Sequence, residues 1–155
     1  MKIITPETSK EIYDKHIRNN SVFLGGTIDN GSSVDWQEEL GQILIKNNLY
    51  IYNPRRKNWD SGAGEKAIEE QILWELDAQE RCDVLAYNIL GDSKSPITLM
   101  EIGAYKYKNI LVNCSKDFYR YTNVKTFCEY YSIPLFDISI DDFASEIVDI
   151  FDELI

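Results

Sequence analysis

Short apolar runs of strand length alternate along the chain with longer stretches in which apolar residues recur every three or four positions. That alternation is the pattern of a parallel sheet covered by helices. Ser21-Val22-Phe23-Leu24 predicts a buried strand that runs into the turn Gly25-Gly26-Thr27 and the polar loop Asp29-Asn30-Gly31-Ser32-Ser33. Trp36, Leu40, Ile43 and Leu44 follow at helical spacing behind Asp35, an expected N-cap. Leu49-Tyr50-Ile51-Tyr52 reads as a second strand, ended by Asn53-Pro54 because proline has no amide hydrogen to give a ladder. After a long loop rich in glycine and charge, Arg55 to Gly64, the residues Ile68, Ile72 and Leu76 set the apolar stripe of the next helix. On that helix Gln71, Trp74 and Glu75 stand together at i, i+3 and i+4, a second cluster placed to face a site.

Asp83 to Asn88 is the third predicted strand. The loop Gly91 to Lys94 leads to a helix that opens Ser95-Pro96, with serine as N-cap and proline at the first helical position, so Glu101 falls in its second turn. Asn109 to Asn113 predicts a fourth strand, Val124 to Tyr131 a helix, Ile133 to Phe136 a short fifth strand, and a last helix begins at Asp141. Residues 1–20 fit no single template, a helix packed on the domain being one reading. The expectation is one α/β domain over residues 1–155, three-layered and flavodoxin/Rossmann-like, with a mostly parallel five-stranded sheet and helices on both faces. In such sheets ligands bind outside the carboxyl ends of the strands, where the strand order reverses. The loops Gly25–Ser33, Asn53–Gly64 and Asn88–Glu101 meet at that edge.

Charge narrows the choice of ligand. With 26 acidic against 16 basic residues the formal net charge is -10, which argues against polymeric nucleic acid and anionic membranes as partners. A small anionic ligand stays open, since backbone amides and one or two arginines suffice to hold a phosphate. No apolar run approaches the roughly 20 residues that span a bilayer. Cys82, Cys114 and Cys128, without CxxC spacing, and the lack of a charged-then-apolar leader point to a reduced cytoplasmic setting. His16 is the single histidine and reads as a surface helix residue, so neither a histidine triad nor a multi-histidine zinc site is expected. No metal or organic cofactor is expected either.

Each polar candidate has two readings. Gly25-Gly26-Thr27 lets backbone approach a ligand closely, or is an ordinary tight turn. Arg55 and Arg56 offer guanidinium forks to phosphate oxygens, with salt bridges to surface carboxylates as the default for one of them. Among the tryptophans, Trp59 is the expected base-stacking or lid residue, and Trp36 the expected core residue. Asn123 reads first as the N-cap of the helix that follows it. On spacing alone Glu101 is a solvated helix carboxylate, and Asp83 is equally a turn residue at a strand edge.

One ordered set of segments shifts that balance. Phe23-Leu24-Gly25-Gly26-Thr27-Ile28, Asp35-Trp36-Gln37, Tyr52-Asn53-Pro54-Arg55-Arg56 with Trp59, Glu70-Gln71, Trp74-Glu75, Cys82-Asp83-Val84 and Ser95-Pro96-Ile97-Thr98-Leu99-Met100-Glu101-Ile102-Gly103 succeed one another in this order. Together they resemble the nucleoside 2-deoxyribosyltransferase superfamily, most closely its deoxyribosyltransferase-like branch, over about Val22 to Val124. The resemblance implies cleavage or transfer of the N-glycosidic bond of a nucleoside or nucleotide. Glu101, in Glu101-Ile102-Gly103-Ala104, corresponds to the family's nucleophile, which attacks the anomeric carbon to form a glycosyl ester. Asp83 maps to an aspartate near the base or sugar and is the expected second carboxyl, assisting departure of the base.

Gly25, Gly26, Thr27, Asp35, Asn53, Arg55, Arg56, Trp59, Gln71, Trp74, Ser95, Thr98 and Asn123 are the expected substrate-binding positions. Ser95 departs from the better-studied transferases, which carry an aspartate there; a serine cannot supply the charge, and in phosphate-accepting hydrolase relatives a serine of this loop helps hold a 5′-phosphate. The resemblance therefore leaves transferase, nucleotide hydrolase and non-catalytic nucleotide binder as the readings, with a homo-oligomer as the expected assembly.

Overall fold

The structure, a computed structural model, describes residues 2–8, 19–57 and 64–154, so His16 and Trp59 lie outside the described residues. Among those residues six parallel strands form one sheet: β1 (Ile3–Ile4), β2 (Ser21–Gly26), β3 (Tyr50–Tyr52), β4 (Val84–Ile89), β5 (Ile110–Cys114) and β6 (Leu135–Phe136). Their order is β1-β3-β2-β4-β5-β6. Five helices connect or follow them: α1 (Trp36–Ile45), α2 (Glu65–Arg81), α3 (Pro96–Ala104), α4 (Tyr121–Tyr130) and α5 (Ile140–Leu154).

The three central strands are apolar nearly throughout because both of their faces are covered. Their side chains divide with a period of two. Phe23, Leu85, Tyr87 and Val112 join a core with Trp74 and Ala78 of α2, Ile102 of α3 and Val124 of α4. Val22, Leu24, Ala86 and Leu111 point the other way, to Trp36 and Leu40 of α1 and Phe143 and Ile147 of α5. Sheet and two helical layers thus give the expected α/β architecture, and Trp36 is core as expected, its indole nitrogen donating to the Thr27 carbonyl at 2.8 Å.

Two expectations need correcting. The sheet has six strands rather than five, because Ile3 and Ile4 pair with Ile51 and Tyr52 in a part of the chain that fitted no template; two residues are too few to show a period. More consequential is α2. Ile68, Ile72 and Leu76, expected to face the core, are 54%, 48% and 39% exposed, while Gln79 is fully buried. The helix buries Gln79 beside Trp74 and Ala78 and leaves much of its other apolar surface out.

From β2 the chain moves outward to β3, crosses back to β4, and continues to β5 and β6 on the other side. The order therefore reverses between β2 and β4. Connections leave these two strands in opposite directions, which opens a crevice at their carboxyl ends.

Candidate active site

A cleft of about 390 Å³ lies at that reversal, within the size range of sites for small molecules. Backbone forms one wall. Gly26 has φ +137°, and a Cβ there would sit 2.0 Å from the Asn88 carbonyl oxygen, so only glycine lets β2 turn away beside β4. Gly25 is glycine for a different reason: its Cβ would meet the Tyr87 ring at 2.4 Å.

The loop after β4 closes one corner of the cleft. Thr27, Ser93 and Ser95 bring three hydroxyls together, with Thr27 Oγ1 2.9 Å from Ser93 Oγ and 2.8 Å from Ser95 Oγ, and the two serines 2.8 Å apart. Ser95 does occupy the N-cap position of α3 but makes no side-chain cap, because its backbone is left-handed (φ 44°) and its hydroxyl is engaged in this cluster. Pro96 has no amide hydrogen, and Leu99 is the first amide of the helix with a main-chain partner, Ser95 at 3.2 Å. The start of α3 therefore presents unpaired amides beside Thr98, which is buried, lines the cleft and has no hydrogen-bond partner for its hydroxyl among the described residues. Lys94 lines the same corner.

Two carboxyl groups, Glu75 from α2 and Glu101 from α3, line the same cleft. Gln71, Glu75 and Gln79 follow one another at i, i+4 and i+8 along the inward stripe of α2. Arg56 Nε donates to Gln71 Oε1, and Gln71 Nε2 donates to the Pro54 carbonyl and to Glu75 Oε1, both at 2.8 Å. Gln79 Nε2 donates to Glu101 Oε2. The other carboxylate oxygen of Glu101 has no partner among the described residues. Burial first, then the neighbouring Glu75, pushes the Glu101 carboxyl up to about 7, while the hydrogen bond from Gln79 acts in the opposite direction. Burial also raises Glu75, against the Gln71 hydrogen bond and the Arg56 charge. Two buried carboxyl groups at a small-molecule cleft are thus both pushed toward the neutral form, the electrostatic signature of an acid–base site.

Of the residues singled out from sequence, Gly25, Gly26, Thr27, Ser95, Thr98 and Glu101 line this cleft, and Gln71 braces it from behind. Asp83 does not. It precedes β4 at the amino edge of the sheet, the length of that strand away, and its carboxylate accepts from the Ser21 amide at 2.9 Å and the Ser21 hydroxyl at 3.1 Å. There it ties β2 to β4, out of reach of a ligand on Glu101.

Arg55 is buried as a structural staple. Its guanidinium donates to the carbonyls of Gly31, Ser33 and Val34 at 3.0, 2.5 and 2.9 Å, and its Nε lies 3.6 Å from Asp35. Asp35 caps α1 as expected, accepting from the Glu38 amide at 3.1 Å. Asn53 accepts from the Arg55 amide at 2.9 Å, a local turn. Arg56 serves Gln71 rather than a surface carboxylate. Trp74 is core, its ring 6.5 Å from that of Phe23 and 6.4 Å from that of Tyr52. Asn123 lies within α4 rather than capping it, and lines a separate groove between α3 and α4.

The sequence pattern puts Glu75 in a cluster facing a site without assigning it a role, and it assigns none to Gln79, Tyr87 or Lys94. The i, i+4, i+8 series of amide and carboxyl side chains was the available signal for Glu75 and Gln79.

The carboxyl pair lies where open α/β sheets bind their ligands, at the reversal of strand order. The chain belongs to the nucleoside 2-deoxyribosyltransferase-like family, whose model matches residues 19–118. Its fold is similar to that in the crystal structure of a conserved protein from Enterococcus faecalis V583, with a TM-score of 0.56 and 13% identity over 83% of this chain and 96% of that one. No curated protein matches the chain. Family membership supports glycosyl transfer in general and binding of a small-molecule nucleoside. No helix among the described residues is long and apolar enough to cross a membrane.

Proposed function

We propose that the protein cleaves the N-glycosidic bond of a nucleoside or nucleotide, with Glu101 as nucleophile and Glu75 as its acid–base partner. The observation that carries this reading is the shared cleft position of the two carboxyl groups, with one oxygen of Glu101 held by Gln79 and the other free. The active form is singly protonated. Ionised Glu101 attacks C1′ and forms a C–O ester bond; the C1′–N bond breaks, its electron pair stays on the base, and neutral Glu75 supplies the proton the base needs to leave. In the second half, water or a second base attacks C1′, the ester bond breaks to return Glu101 as a carboxylate, and Glu75 takes the proton released by the acceptor. A transferase and a hydrolase differ only in that acceptor.

A 5′-phosphate is the second element of the reading. Lys94, the free amides at the start of α3 and the unpartnered Thr98 hydroxyl form an anion-accepting corner in the cleft. Arg55 and Arg56 do not contribute to it, being committed to the loop and to Gln71.

The test is incubation of the protein with deoxynucleosides, ribonucleosides and their 5′-monophosphates, with and without a free acceptor base, followed by chromatography. Base release from at least one substrate, lost in Glu101→Ala, is expected. Tight binding with no product from any of them would leave a nucleotide-binding protein instead. Lys94→Ala is expected to raise KM for a monophosphate and leave that for the nucleoside unchanged; equal effects on both would remove the phosphate corner.

A further inference from the structure

Gln79 is an amide with no exposure to solvent, in a helix that leaves Ile68, Ile72, Leu73 and Leu76 facing out. Burying an amide is costly unless its polar groups are paired, and here both amide hydrogens and the carbonyl oxygen have a partner. Tyr87 donates its hydroxyl to Gln79 Oε1 at 2.5 Å, and Gln79 Nε2 donates to the Glu75 main-chain carbonyl at 3.1 Å and to Glu101 Oε2. The orientation of the amide follows from this chemistry. Turned over, its carbonyl oxygen would face the Glu75 carbonyl and the ionised Glu101 carboxylate, two acceptors with no proton between them. Tyr87 keeps its proton and so remains a donor, because burial and then the Glu101 charge raise its ionisation well above the neutral range.

We infer that Tyr87 and Gln79 are positioning residues for Glu101: Tyr87 fixes the Gln79 amide, Gln79 occupies Oε2, and the other carboxylate oxygen is left as the one that attacks. The inference rests on the reading of Glu101 as nucleophile. A carboxylate free to rotate exchanges its two oxygens, whereas one pinned through Oε2 presents a single oxygen at fixed geometry, which lowers the reorganisation needed on reaching the transition state. Gly25 belongs to the same device. Its missing Cβ makes room for the Tyr87 ring, and any side chain there would push the phenol away from Gln79. The glycine of the strand-end turn thus acts through a tyrosine and a glutamine on a carboxyl group that it does not touch.

Gln79→Leu, Tyr87→Phe and the double variant test this. Gln79→Leu keeps the side-chain bulk without the amide; it is expected to lower kcat for base release by about tenfold to a hundredfold with KM within about twofold of the parent. The acidic limb of kcat/KM should move up by about one pH unit, because a donor to the charged form is lost. Tyr87→Phe, which removes one oxygen and folds even if Gln79→Leu does not, should shift both quantities in the same direction by a smaller factor. The double variant should be no worse than Gln79→Leu alone, since Tyr87 acts through Gln79. Well-folded single variants with the parental kcat and limb, or a double variant whose losses multiply, would overturn the inference. A carbon-13 titration of the Glu101 carboxyl, assigned by its loss in Glu101→Gln, needs no substrate. If the parent releases no base from any nucleoside, the proposed activity fails, yet this titration still decides whether Gln79 and Tyr87 control Glu101: upward movement in both variants supports the linkage, and none refutes it.

Discussion

The two ends of β4 hold carboxyl groups with opposite fates. At the amino end Asp83 receives two hydrogen bonds from Ser21, and Ser21 Oγ accepts in turn from the Asp83 amide at 3.1 Å, so the group is locked in a reciprocal pair that aligns two strands. At the carboxyl end Glu75 and Glu101 are buried beside each other with few donors, and both are pushed toward the neutral form. A solvent-exposed carboxylate held by a neighbouring strand serves architecture; a buried pair close enough to repel is pushed toward the neutral form.

The largest consequence of that contrast falls on the carboxyl end. Glu101→Ala should lower kcat for base release by about a thousandfold or more, measured by chromatography of the free base, because the nucleophile is gone. Parental rates in this variant would erase the distinction between the two ends. Glu75→Gln should cost about a hundredfold through loss of the proton donor. It should also remove the basic limb of kcat/KM, which reports ionisation of the proton donor, and leave the acidic limb in place because glutamine mimics the neutral carboxyl. A basic limb that persists would show that Glu75 is not the donor.

Stability should carry the same signature with its own sign. A carboxyl raised from 4.5 to about 7 by folding binds its proton more tightly in the native state, so native stability falls as pH rises through that window. Glu101→Gln removes the effect and should therefore raise stability at pH 8, by up to about 3 kcal/mol, with the gain vanishing below about pH 4.5. Thermal melts at the two pH values read it, and an equal effect at both would refute the assignment. The smallest change belongs to the amino end: Asp83→Asn should leave base release within about twofold and cost about 1 kcal/mol in urea unfolding.

Much of the fold was legible because the central strands are buried on both faces and bounded by Gly, Pro and Asn, signals that local sequence carries in full. Glu101 was legible through Ser95-Pro96, which sets the start of α3, and through the ordered segments that resemble the family. The face of α2 was not. Periodicity locates a stripe of Ile68, Ile72 and Leu76 but not the direction it points, and a helix bordering a polar cleft turns its amides and carboxyls inward. Asp83 misled for a different reason: it opens a strand of a parallel sheet, so chain direction already places it at the amino edge, and the resemblance to the family outweighed that signal. Arg55 and Arg56 looked like phosphate ligands because sequence cannot show that free loop carbonyls and Gln71 claim them first.

The contacts that shape the cleft also differ in how much chain they close. Gln79 reaches Glu101 across 22 residues and Tyr87 reaches Gln79 across 8, whereas Thr27 reaches Ser93 and Ser95 across 66 and 68. Closing the longest of these loops rather than the 22-residue one costs about 1 kcal/mol more in chain entropy. The hydrogen bonds that reach the nucleophile therefore lie within one contiguous stretch, α2–β4–α3, of low contact order, while the hydroxyl corner and the room Gly25 leaves for Tyr87 are added only when β2 docks beside β4. A chain that loosens that docking opens the hydroxyl corner while the hydrogen bond from Gln79 to Glu101, made within the shorter stretch, is kept.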